Sequence, residues 1–146
     1  MIRTFERDGI LLQYPGDWTL EAGALGDGDD GAWAVTVQSP ETAFLLVALR
    51  PDADTPIDLA DQTLETLKAE YKELDAEAAV ETIAGRPAVG HDIDFLTVDT
   101  TVTCWSRCLE TPAGPLLLLA QTSEYDRDRH EPLLRAIWKS LVIADE

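Results

Sequence analysis

Three groups of side chains in this 146-residue sequence are of types that do chemistry. His91, Cys104 and Cys108 are metal-ligating types; Asp27, Asp29 and Asp30 lie among glycines, as the acids of a calcium loop do; and Asp92 and Asp94 stand near Trp105 and Arg107, a mixture suited to contacting a partner. The first two groups fail on spacing. Cys104 and Cys108 sit four apart in a segment read as one strand, which separates their Cα atoms by about 13 Å at about 3.3 Å per residue. That is too far for an intramolecular disulfide. A C-x3-C pair also lacks the second ligand pair of a zinc site, so reduced, half-buried thiols are expected, with His91 a satisfied, half-buried neighbour. An EF-hand loop counted from Asp27 would need glycine at its sixth position and an acid at its twelfth, where this sequence has Ala32 and Gln38. His130, among Arg127, Arg129 and Glu131, has no nucleophile beside it and reads as a surface residue. No nucleophile elbow, phosphate loop or paired zinc ligands occur. No cofactor and no catalytic activity are therefore expected.

The third group depends on strand register. If Asp99-Thr100 is a two-residue turn, opposed positions sum to 199, setting Asp92 against Arg107, Asp94 against Trp105, His91 against Cys108 and Phe95 against Cys104. One face then carries His91, Ile93, Phe95, Cys104 and Cys108, and the other Asp92, Asp94, Thr103, Trp105 and Arg107. Trp and Arg are enriched at interface hot spots, which makes the second face the candidate binding surface. The competing reading is an Asp92–Arg107 ion pair beside a tryptophan buried under a helix. Trp33 follows the acidic loop, where an exposed aromatic would suit recognition of a peptide or apolar segment. Trp18 and Trp138 read as core.

The elements that must position these residues follow from punctuation and period. Ile10–Tyr14 reads as a strand ended by Pro15-Gly16, and Trp18–Leu20 resumes the extended chain. Ala32–Gln38 and Thr42–Arg50 are strands joined at Ser39-Pro40-Glu41. Thr55-Pro56-Ile57-Asp58 starts a helix, with Thr55 as cap, Pro56 in the first helical position and Asp58 at the positive end of the dipole. The spacing of Ala60, Leu64, Leu67, Tyr71 and Leu74 carries that helix to about Leu74. An antiparallel meander follows over Ala78–Ile83, Ala88–Val98 and Thr101–Glu110, its first turn at Ala84-Gly85-Arg86-Pro87. Leu116–Ala120 is apolar without alternation and so reads as a central strand covered on both faces. The last helix spans about Asp128 to Leu141, capped by Asp128 with Glu131 three residues on and Pro132 in its first turn.

Length and apolar content, 45%, suit one domain over residues 1–146 with a core that needs no disulfide or metal. The sequence begins without the apolar run of a secretory signal, and its longest apolar run is far short of the roughly 20 residues that span a bilayer. A cytoplasmic protein without membrane insertion is expected. With 28 acids against 11 bases, a net charge of −17, nucleic acid is disfavoured as a partner. The charge either steers a basic partner or solubilises the surface.

The apolar strand running into Tyr14-Pro15-Gly16-Asp17-Trp18, the Gly85-Arg86-Pro87 turn before the meander and the final Ala136-Ile137-Trp138-Lys139-Ser140-Leu141-Val142-Ile143 together resemble the superfamily of PsbP-like photosystem subunits, the Ran-binding Mog import factor and bacterial relatives that include chaperones of secreted effectors. The resemblance spans nearly the whole chain. It implies an α+β fold in which an antiparallel sheet is sandwiched between helices, an αβα sandwich, and it brings no catalytic residues. It also implies a protein-binding or chaperone-like role; with the net charge, this points to a protein partner, basic or offering an apolar helix, engaged through the sheet face. A carrier of a small apolar ligand is the alternative.

Overall fold

In a computed structural model that describes residues 1–22, 31–98 and 100–144, the chain forms ten strands and two α-helices. Asp27, Asp29, Asp30 and Asp99 lie outside the described residues.

β1 (Ile2–Arg7) and β2 (Ile10–Pro15) form a hairpin across Asp8-Gly9, both with positive φ, 52° and 79°. Such a pair of left-handed residues matches the right-handed twist of the strands it joins. The Asp-Gly dipeptide is the signal from which β1 could have been read. Pro15-Gly16 then turns the chain, with the Trp18 amide donating to the Pro15 carbonyl at 3.0 Å and Tyr14 and Trp18 buried on either side. The YPGDW run is thus a structural corner.

β3 (Thr19–Ala22), β4 (Trp33–Gln38), β5 (Phe44–Leu49), β6 (Leu74–Ile83), β7 (Arg86–Leu96), β8 (Thr101–Thr111) and β9 (Gly114–Ser123) make a seven-stranded antiparallel sheet in the order β3-β4-β5-β9-β8-β7-β6. β9 is its middle strand, and Leu116, Leu117, Leu118 and Ala120 are all buried, which accounts for the unbroken apolar run. α1 (Pro56–Glu70) lies on one face, packing Leu59 and Ala60 near Cys108 and Leu117, and Leu64 near Ile93, Phe95 and Cys104. The other face is covered by α2 (Arg127–Lys139) and a small sheet of order β1-β2-β10, where β10 is Val142–Ile143. Leu134, Ile137 and Trp138 of α2 meet Ile10 and Leu12 of β2 and Val35, Val47 and Leu118 of the large sheet in one core. Helices do lie on both sides, as the sequence requires. The small sheet shares one side with α2.

Thr55 caps α1 as expected, its Oγ1 accepting from the Asp58 amide at 3.1 Å. The helix ends at Glu70 rather than near Leu74. Tyr71 turns extended and stacks on Phe95 with ring centroids 3.9 Å apart, while Leu74 begins β6, so the apolar stripe continues in space after the helix has stopped. α2 is entered through a single 3-10 turn at Glu124–Asp126, and Asp126, not Asp128, holds the cap position. Asp126 makes no cap hydrogen bond. Its carboxylate instead accepts from Thr42 Oγ1 at 2.9 Å. With the start at Arg127, Pro132 falls in the second turn, where its missing amide forgoes the bond to the Asp128 carbonyl.

His130 is also displaced from its expected surface position. It is 2% exposed, edge-on to Trp18 at 6.1 Å, with Nε2 at 3.4 Å from a Glu41 carboxylate that also pairs with Arg129. The side of α2 bearing His130 faces the YPGDW corner, a relation between distant segments that helical periodicity alone does not reveal.

The β7–β8 register differs from the expected one by two residues. Leu96 and Thr101 are the last pair, and beyond them the Thr97 amide and hydroxyl both donate to the Thr100 carbonyl at 2.9 Å, so the strands part earlier than a two-residue turn would allow. Opposed positions therefore sum to 197: Asp92 faces Trp105, Asp94 faces Thr103, Ile93 faces Cys104 and Gly90 faces Arg107. A slip of two preserves which side chains share a face. The expected partition of the two faces is correct although every expected pair is not.

Gly90 is required by a close approach. A Cβ there would lie 1.8 Å from the Ser106 carbonyl oxygen, inside the van der Waals contact of immovable backbone. G90A is expected to destabilise the fold by at least about 2–3 kcal/mol, measured as a drop in the urea midpoint. A full-stability alanine variant would show that the strands can separate locally.

Candidate functional site

On the α2 side of the sheet, the residues of β6, β7 and β8 change from apolar to acidic towards the β6 edge. Trp105 is 4% exposed beneath α2. The guanidinium carbons of Arg127 and Arg135 each lie 5.7 Å from its ring centroid, one helical turn to either side of Glu131. Glu131 accepts from Arg127 Nε at 2.9 Å and from Arg135 Nε at 3.2 Å, holding both cations over the indole. Glu131 therefore organises the cover of Trp105 and does not close a capping box.

Arg107, next along the same face, is 4% exposed. Its Nε donates to Glu81 at 2.6 Å, Nη2 to Asp92 at 2.8 Å, and Nη1 to the Ser106 carbonyl at 2.8 Å and the His91 carbonyl at 3.4 Å. Its carbon stands 5.6 Å from the Trp138 ring centroid. The Asp92–Arg107 pair expected from sequence exists, but it runs diagonally between strands, because Arg107 opposes Gly90. The glycine lets β7 approach the Ser106 main chain closely, and Ser106 Oγ takes the His91 amide at 3.0 Å. Glu81, from β6, completes the clamp, a ligand that sequence patterning did not single out. Only the pairing of β6 with β7 brings it there.

The clamp itself reaches solvent at Asp92, and further carboxylates stand open beside it. Asp92 and Asp94 are exposed, and the pairings Glu77–Asp92 and Asp75–Asp94 place two further exposed acids beside them on the same face. Asp94 accepts from Thr103 Oγ1 at 2.8 Å. Asp75, Glu77, Asp92 and Asp94 line a shallow hollow of about 480 Å³.

Of the five residues singled out for partner contact, the structure thus keeps Asp92 and Asp94 at the surface and withdraws Trp105, Arg107 and Trp33. Trp33 is 2% exposed, edge-on to Phe5 at 5.5 Å, with Nε1 donating to Asp8 at 2.8 Å and the Arg7 guanidinium 5.4 Å from its ring. It joins the small sheet to the large one. Strand alternation turned it inward, against a hairpin that had not been read from the sequence.

Cys104 and Cys108 are free thiols on the α1 face, each pushed up to about 12 by burial, with Arg107 opposing that rise at Cys108. Thiols of such high pKa are inert at neutral pH. Among the described residues no group of three or more His, Cys, Asp or Glu side chains is arranged to hold a metal ion, and no helix is long and apolar enough to cross a membrane.

An antiparallel sheet held between α1 and the α2 layer defines the fold, and solved structures share it. The chain is similar to the cyanobacterial PsbP protein (CyanoP) of Synechocystis sp. PCC 6803, with a TM-score of 0.69 at 16% identity over 98% of this chain and 92% of that one. It is similar to PA94 of Pseudomonas aeruginosa, a protein of unknown function, at a TM-score of 0.60 and 16% identity over 99% of both chains. It is also similar to LpqN, involved in cell envelope biogenesis of Mycobacterium tuberculosis, at a TM-score of 0.55 and 16% identity over 99% of this chain and 91% of that one. No protein-family model matches the sequence, and no curated protein is significantly similar to it. At this level of identity the likeness establishes a PsbP-like fold.

Two outcomes test the site's construction. R107A leaves Glu81 and Asp92 without their cation and a void under Trp138; because both carboxylates can rehydrate, a loss of about 2–3 kcal/mol is expected, with R107M less damaging because it keeps the stem. Chemical denaturation of both variants measures this. For Glu131, burial raises the pKa, but the hydrogen bonds from Arg127 and Arg135 outweigh it and hold the carboxyl below its ordinary 4.5. A carboxyl depressed on folding adds stability that is present above its unfolded value and lost as pH falls through the folded one. Stability should therefore decline below about pH 4.5, and E131Q should flatten that part of a melting-temperature profile. An unchanged slope would remove Glu131 from the account.

Proposed function

We propose that this protein is a non-enzymatic protein-binding domain that engages a basic partner through the outer part of its sheet face. The observation that carries this reading is the set of four exposed carboxylates, Asp75, Glu77, Asp92 and Asp94, contributed by adjacent strands to one face of a chain with a net charge of −17. Charge of one sign concentrated on one patch raises the rate at which an oppositely charged partner arrives. The resemblance to Mog and to effector chaperones, whose roles are in binding, supports the same reading, and a chaperone-like task is one form of it. We place that role in the cytoplasm, where two cysteines that strand geometry keeps from pairing stay reduced.

The small-ligand carrier has less support. Trp18, Trp105, Trp138, Leu12 and Leu118 fill the space between the large sheet and the α2 layer. A carrier would need that space for its cargo.

The test is affinity capture with quantitative mass spectrometry, comparing the native chain with a D75K/E77K/D94K variant shown by circular dichroism to be folded. Proteins whose capture falls at least tenfold in the variant and falls with added salt are the expected result. Identical capture by both would end the reading.

A further inference from the structure

β6, at one edge of the large sheet, is ten residues long, about twice the usual strand length, and carries no Pro, Lys or Arg. Edge strands are normally kept short, or blunted by Pro, charges or bulges, because their outward amide and carbonyl groups template another strand; the charges on β6 are all acidic, which repels acidic segments and admits basic ones. β6 pairs with β7 in unbroken register from Leu74–Phe95 to Ile83–Arg86. Ala76, Ala78 and Ala79 leave its backbone sterically accessible.

The two sides of this edge differ chemically. On the α2 side stand Asp75, Glu77 and Glu81, backed by Asp92 and Asp94 of β7. On the α1 side stand Ala78 and Val80, the latter 73% exposed, and Val80 pairs with Val89. Val89 in turn lines an apolar hollow of about 280 Å³ with Pro56, Ile57 and Pro87, where Ile57 is 59% exposed. A strand added along β6 would alternate between these environments.

We infer that β6 is a strand-addition site for an extended segment of a partner protein in which basic residues alternate with aliphatic ones. The basic side chains lie beside Asp75 and Glu77, the aliphatic ones beside Val80 and towards the hollow, and the backbones pair. This deepens the proposed function and rests on it. A second copy of the chain is the poorer occupant. Two β6 strands paired antiparallel about a two-fold axis would oppose Asp75 with Glu81, or Glu77 with Glu81, in their longest registers, and like charges directly opposed are destabilising.

The test titrates the 15N-labelled full chain with three capped hexapeptides: alternating Lys-Val, alternating Glu-Val, and Lys-Val with alternate backbone nitrogens methylated to prevent pairing. The expected result is saturable binding of the first alone, with amide shifts concentrated on Leu74–Ile83, weakened at least tenfold by D75K/E77K and at least threefold by V80K. Val80 is exposed enough for V80K to fold even if the double variant does not. Equal binding of the methylated peptide, shifts centred elsewhere, or no binding would each overturn strand addition. Capture of native partners that survives V80K but not D75K/E77K/D94K would overturn it while leaving the broader binding role intact. Failure of capture to respond to the triple variant would instead remove that role.

Discussion

A guanidinium cannot be taken out of water unless its donors find acceptors, and Arg107 sits almost fully buried between the sheet and Trp138. Much of the molecule around it answers that constraint. β6 must lie beside β7 to supply Glu81, Asp92 must reach diagonally across the ladder, and the Ser106 carbonyl must turn towards Nη1. Gly90 is the position at which β7 comes close enough to Ser106 for the arrangement to close. The arginine ties the edge of the sheet to the apolar core under α2.

The same constraint sorts the face into zones. Under α2 the sheet is apolar, then Trp105 is roofed by Arg127 and Arg135, then Arg107 is neutralised by Glu81 and Asp92, and finally the carboxylates of β6 and β7 meet solvent. Arg107, Arg127 and Arg135 are committed to internal partners, and the exposed acids of β6 and β7 outnumber Lys72, the exposed cation that lines a hollow with Asp75 and Asp94, so the edge shows predominantly negative charge. The aromatic and cationic groups that resemble an interface hot spot in sequence are the internal scaffold of the face. The groups left for a partner are the acids and the strand edge.

Much of the architecture was legible beforehand because it depends on local chemistry. The unbroken Leu116–Ala120 run marked the covered central strand, Thr55-Pro56 marked the start of α1, and Tyr14 to Trp18 marked a corner. The partition of β7 and β8 into two faces was legible because the period of two survives an even register slip. The register itself was not, since it turned on the hydrogen bonds between Thr97 and Thr100, beyond which the strands no longer pair. The exposure of Trp33 and His130 was misread for a related reason: each is buried by a segment distant in sequence, the β1–β2 hairpin and the YPGDW corner with Glu41.

The amino-acid sequence by itself determined an acidic α+β chain, its main strands and helices, and the side chains that share each face, because hydrophobic period, caps and turn residues act over a few positions. Only the tertiary structure decided which side of α2 meets the corner, which strand becomes the long open edge, and which of Asp92, Asp94, Trp105 and Arg107 reach water. Those outcomes depend on pairings between segments dozens of residues apart. Burial and exposure are properties of that packing and not of any residue type.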